Sequence, residues 1–238
     1  MNSDSVWDAC VSFMNHLCWH KNRLVVLGPR IEGLPDGHHS KPKCLFGLPR
    51  LFNLVGNQME CKCVLSHALK LLGEQGDDLS VTIVLRELSD TNRLMGLYKE
   101  GIKLAEEALE ILEWLGVTAG QAQCLSNLAC LLWEDKQLDT AEEATSCMIN
   151  LSSEQGNQYQ VCQSHRVLGE ICYSKGKQEK AIHHFKAVLG ITSSFNWHNQ
   201  LSWVYYALVR LSFNQRKCDC QDISILCLFE PFVQLRFL

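Results

Sequence analysis

Several short groupings in the chain bring together residue types that could do chemistry. Cys61-Lys-Cys63 and Cys218-Asp-Cys220 offer thiolates for a metal, but the spacing is C-x-C rather than the C-x₂-C of structural zinc sites. His16, Cys18 and His20 alternate, and on a helix this spreads them around the axis. His183-His184 are adjacent, about 100° apart on a helix, so they make no chelate alone. They fall on positions expected to face solvent. Ser164-His165 pairs a nucleophile with a base, yet neighbours on a helix do not face each other. The stretch from Gly169 to Lys177 ends in Gly-Lys, but it lacks the G-x-x-x-x-G-K-[ST] spacing that cradles phosphates. These residues therefore predict no catalytic residue, no metal site and no cofactor.

The composition agrees with a binding module. Of 238 residues, 47% are apolar and 20% charged, as in a soluble globular protein. A net charge of −4 and a pI near 6.1 argue against a general nucleic-acid or anionic-membrane binder. There are 13 cysteines, an odd number at irregular spacing. The N-terminus carries Asp4 and Asp8 where a signal peptide wants positive charge. The cysteines are accordingly read as reduced, small hydrophobes in a cytoplasmic protein, with no stoichiometric zinc. No apolar run is long enough for a membrane span.

The elements that must position any functional residue follow from proline and from a repeat. Prolines stand at 29, 35, 42, 49 and 231, leaving a long proline-free stretch that suits helices. The chain matches itself at a period of 40 residues. Leu88, Leu128, Leu168 and Leu208 share one register, and Gly96, Lys136, Gly176 and Arg216 another. Gly101, Ala141 and Ala181 make a third, while Gly76, Gly116, Gly156 and Asn196 end the units. In the clearest unit, Val161, Leu168, Ile171 and Cys172 mark one helical face. A turn at Tyr173–Lys177 follows, and then Ala181, Phe185, Val188 and Leu189 mark a second helix. Small residues (Gly169 and Ala129 on first helices, Ala141 and Ala181 on second ones) are predicted where helices approach closely.

The stretch from Leu168-Gly-Glu through Gly176 and Ala181 to Phe185 and Leu189 closely resembles the tetratricopeptide repeat (TPR) signature. The unit with Leu125-Ser-Asn127-Leu-Ala129 and Leu138-Asp-Thr-Ala141-Glu-Glu resembles the longer variant of kinesin light chains. The phrase from Ser89 to Gly116, with Ser194-Phe-Asn-Trp-His198, is similar to fungal repeat arrays that follow nucleotide-binding signalling domains. The resemblance implies an all-α fold, a right-handed TPR-like superhelix (α-solenoid) of about four helical hairpins. It implies a non-catalytic scaffold that takes a protein or peptide partner.

Three regions are expected. Residues 1–43 resemble no repeat and hold one amphipathic helix, including Trp7 and Leu17, and a Gly/Pro-rich connector. Residues 44–216 form the array, its first unit degenerate, with Pro49 shortening or kinking a first helix. Residues 217–238 are a degenerate apolar tail that could drive self-association. Two other readings are the sensor fragment of a NACHT/NB-ARC-type ATPase and a truncated product without function.

In the fold so implied, first helices line a concave groove. Off-stripe positions there include Glu170, Tyr206 and Phe213 besides the residues expected to bind: Arg86, Arg93, Asn127, Trp133, Arg166, Tyr173 and Arg210. Guanidinium and amide groups suit a peptide's backbone and carboxylates, and aromatic rings bury its side chains. Asn127 matches the groove asparagine of kinesin-light-chain-like repeats, but Glu87, Val167 and Ala207 stand at its equivalents.

Overall fold

The structure is a computed structural model that describes residues 33, 45, 49–54, 56–192, 204–208 and 210–211. The helix expected around Trp7–Leu17, Asn196, Phe213 and the tail after Lys217 lie outside them. The described elements are α1 (Pro49–Leu54), α2 (Gln58–Gln75), α3 (Asp78–Leu94), α4 (Tyr98–Trp114), α5 (Thr118–Glu134), α6 (Leu138–Glu154), α7 (Gln158–Ser174) and α8 (Gln178–Thr192). Residues 204–208 and 210–211 are also helical, and no strand occurs among the described residues. Helices α3, α5 and α7 start one repeat apart at Asp78, Thr118 and Gln158, and so do α2, α4, α6 and α8. Pro49 stands at the first residue of α1, where its missing N–H costs nothing.

One turn design joins every pair from α1 to α8, and it sets the period. After α3, Gly96 N–H donates to Arg93 O at 3.0 Å and Leu97 N–H to Asn92 O at 2.8 Å. That is a Schellman cap, which satisfies carbonyls the helix end leaves unpaired. Leu97 O then accepts from Gly101 N–H, so one residue closes a helix and opens the next. The left-handed position is glycine at 56, 76, 96, 116, 156 and 176, but Lys136 (φ 67°) after α5. Where the shared residue has a short polar side chain it also caps the new helix. Asp77 accepts from Ser80 N–H, and Asn157 from Gln160 N–H.

The chain divides into two compact units, Met1–Ile111 and Leu112–Leu238, the division falling within α4. In the first, Leu65, Ala68 and Leu72 of α2 pack with Val84 and Leu88 of α3 and with Leu45. Ser89 Oγ donates to Gly101 O at 2.9 Å, joining α3 to α4. In the second, α5 packs on α6, α6 on α7, and α7 on α8. Phe185, Val188 and Ala181 of α8 form a core with Cys162 and Cys172 of α7 and with Val204, Ala207 and Leu211. Burying a residue like Phe185 contributes about 2 kcal/mol.

The small residues stand where the repeat predicts. Ala129, Ala141 and Ala181 are completely buried. A Cβ at Gly169 would lie 2.3 Å from Phe185 Cε1, so α7 meets the ring edge of α8 through backbone alone.

Candidate functional site

In the second unit the two first-type helices, α5 and α7, touch each other directly. Trp133 Nε1–H donates to Ser174 Oγ at 2.8 Å across that contact. Trp133 thus has one edge tied to the neighbouring repeat. Asn127 and Arg166 are half-buried, one on each helix, just off the core stripes. Gln123 is exposed one turn before Asn127.

Arg210 stands one period beyond Glu170, and the two are joined. Its Nη2 donates to Glu170 Oε2 at 2.5 Å. The guanidinium also lies over Tyr173, 4.2 Å from the ring centroid, and 5.9 Å from that of Tyr206. Glu170 is only 3% exposed. This corrects the expectation that Glu170 lines an open groove: its carboxylate lies beneath the face as the anchor for Arg210. The structure thus gathers Arg210, Tyr173 and Glu170 into a cluster that joins successive repeats.

Arg86 and Arg93 belong to the first unit, on α3. Arg86 donates to Glu87 at 2.9 Å, and Arg93 reaches Asp90 Oδ1 through Nη2 (2.8 Å) and Nε (3.0 Å). Both are half-buried and paired along their own helix, which orients them at the cost of part of their charge.

Lys175 is a residue the sequence reading missed. At the end of α7 it donates to Asp139 at 2.6 Å and also to Glu142, both on α6. These hydrogen bonds hold both carboxyls below their ordinary values and raise the lysine. The signal was a lysine about one period from an Asp-x-x-Glu, but charges are too common in sequence for that to stand out.

Cys218 and Cys220, and His16, Cys18 and His20, lie outside the described residues; the fold separates the other chemically suggestive groupings, with one exception. Cys61 is fully buried and contacts Thr91 Oγ1 at 3.3 Å, while Cys63 on the same helix is exposed. Burial pushes the Cys162 thiol up to about 11, which suits an inert core thiol. Ser164 is buried and donates to Gln160 O. His184, expected to face solvent beside His183, turns instead toward α7. Its Nδ1 lies 3.2 Å from Nδ1 of His165. Burial, with repulsion from neighbouring imidazoles, lowers both histidines below the ordinary value. No helix of the described residues is long and apolar enough to cross a membrane.

Comparison with known proteins places this geometry. No family model and no curated protein sequence matches the chain. Solved structures do match. A Rap protein in complex with competence and sporulation factor aligns over 99% of this chain and 67% of its own, with a TM-score of 0.72 and 14% identity. A Podospora anserina protein described as putative kinesin light chain, with nearly identical TPR-like repeats, aligns over 81% of this chain and 92% of its own. Its TM-score is 0.61 at 14% identity. A signal-transduction ATPase with a tetratricopeptide repeat sensor from Pyrococcus horikoshii aligns over 89% of this chain but 38% of its own, at 0.54 and 16%. The chain therefore has the TPR-like fold of repeated helical hairpins, as the 40-residue period predicts.

Proposed function

We propose that the chain is a non-catalytic protein-interaction module that takes a peptide or an exposed segment of a partner protein. The supporting observation is the off-stripe row on α5 and α7. Asn127, Trp133, Arg166 and Tyr173 are half-buried on two helices in direct contact. Amide, guanidinium, indole and phenol groups in such a setting supply most interface hot spots, at about 2 kcal/mol or more each. Arg210 steadies Tyr173, and Arg86 and Arg93 offer equivalent polar positions in the first unit. The Rap likeness agrees in kind, since that structure was solved with a factor bound. The setting is cytoplasmic in this reading, given the free thiols of Cys61, Cys63, Cys147, Cys162 and Cys172.

The test is selection of a random displayed-peptide library on the purified chain. An enriched sequence should bind the wild type and lose about tenfold or more in affinity to Asn127→Ala/Arg166→Ala. Glu143→Ala/Lys186→Ala, exposed on the second helices, should bind normally. Loss in the second variant with retention in the first would move the surface to the other helices. A second reading, favoured by the likeness to the archaeal ATPase, makes the chain the sensor part of a signalling ATPase. Binding and activation of an ATPase domain added in trans would distinguish it.

A further inference from the structure

The 40-residue register makes the His165–His184 contact conspicuous. The equivalent pairs in the earlier hairpins are Leu85 with Leu104, and Leu125 with Ala144. Leu85 and Leu125 are buried, so these positions ordinarily join the two helices of a hairpin through apolar surface. In the α7–α8 hairpin both partners are imidazoles at once. Their Nδ1 atoms are 3.2 Å apart and their ring centroids 5.4 Å apart, with the planes 31° from parallel.

The nitrogen spacing is that of an N–H···N hydrogen bond and also lies within the range a shared ion asks for. With metal–nitrogen bonds of about 2.1 Å, two imidazole nitrogens stand about 3.0 Å apart at a right angle and about 3.4 Å apart on a tetrahedral ion. With the nitrogens 3.2 Å apart such an ion would hold the ring centres about 5.0 Å apart, so the rings, now 5.4 Å apart, must close slightly around it. We infer that His165 and His184 form a two-histidine site for a divalent first-row transition ion such as nickel or zinc, clipping α7 to α8. Both rings are half-buried, so water can fill the remaining coordination positions and an ion can enter. His183 is exposed, its ring centroid 5.7 Å from that of His184, and no group of three ligating side chains occurs among the described residues, so the site is one of two imidazoles. Glu142 of α6 is close enough to act on His184 electrostatically, and its charge favours a cation there, while Lys180 opposes it. Burial keeps both imidazoles neutral near pH 7, the state that ligates.

The probe is nickel chloride, because exposed Cys63 and Cys147 would compete for zinc. The wild-type Tm should rise with nickel and saturate. Nickel(II) with such ligands is paramagnetic, so in ¹⁵N spectra of histidine side chains the Nδ1 signals of His165 and His184 should broaden together, at lower nickel than those of the other histidines. The matched variant carries His165→Leu and His184→Ala, the residues the preceding repeat already packs at these positions. It should fold, and its nickel affinity should fall by more than about tenfold as the chelate is lost. The proposal is overturned if the variant responds to nickel as the wild type does. It is equally overturned if nickel broadens these two Nδ1 signals no sooner than those of the other histidines, the contact then being an N–H···N bond alone. The wild-type spectra decide the matter even if the variant does not fold.

Discussion

At the scale of single residues, the repeat identifies two positions where a side chain and its backbone are in tension or in tight contact. Lys136 holds the left-handed conformation (φ 67°) that the other helix-to-helix turns give to glycine. A Cβ there costs about 1–2 kcal/mol against the right-handed region, and glycine returns part of that through its freer unfolded chain. Lys136→Gly should therefore raise stability by about 1 kcal/mol, read as a higher urea midpoint at unchanged slope. Gly169 is the opposite case. Alanine is the better helix former by about 1 kcal/mol, but its Cβ would sit inside the Phe185 ring contact. Gly169→Ala should thus cost about 1–3 kcal/mol through overpacking, and Gly169→Ala/Phe185→Leu should recover part of the loss by making room. A midpoint unchanged in the single variant would mean that α7 and α8 stand further apart than described.

Between elements, ion pairs centred on Arg210 and on Lys175 tie successive repeats together, and they differ in how they should be tested. Glu170 is buried under Arg210, so removing the arginine leaves a carboxylate without its counter-charge. Arg210→Met should cost about 2–4 kcal/mol, somewhat less than a fully buried pair because the arginine is partly exposed. Loss of ligand binding in that variant would then report unfolding rather than contact, which makes Asn127 and Arg166 the better probes. Lys175 joins α7 to α6 at the surface, with Asp139 largely in water. Its carboxylate partners are held below their ordinary values. They therefore stabilise the fold above the unfolded carboxylate range and lose that contribution as pH falls through the lowered values. Lys175→Met should lower Tm by a few degrees or less near pH 7. The gap from wild type should close as pH falls below the lowered values, where the carboxylates are protonated in both states. A gap that persisted there would assign the lysine a packing role through its aliphatic stem.

For the molecule as a whole, the described residues are helical hairpins joined by one turn type, and each contact lies within about one or two repeats along the chain. Far-UV circular dichroism should be helix-dominated, and a sheet-dominated spectrum would contradict the fold outright. Such local topology also predicts fast refolding, in milliseconds or less for the main phase. Stopped-flow fluorescence with the wild-type tryptophans measures it. A dominant phase of many seconds would point to an additional slow event beyond hairpin stacking.

The sequence alone determined the period, the turn glycines and the small-residue positions. Gly76, Gly96 and Ala181 each occupy a conformation or a space that few residues tolerate, so their recurrence every 40 positions carries the geometry with it. The family resemblance followed from the same positions. What only tertiary structure decided is which side chains meet across a turn or a repeat. Glu170 and Arg210 stand a full period apart, His165 and His184 on opposite arms of a hairpin. Polar and charged side chains are common and reach several ångströms, so spacing in sequence does not say which of them pair or how deeply they are buried. Packing of the small and apolar residues brings them together, and through it a carboxylate predicted to line the groove became a buried anchor and a predicted surface histidine became half of a pair.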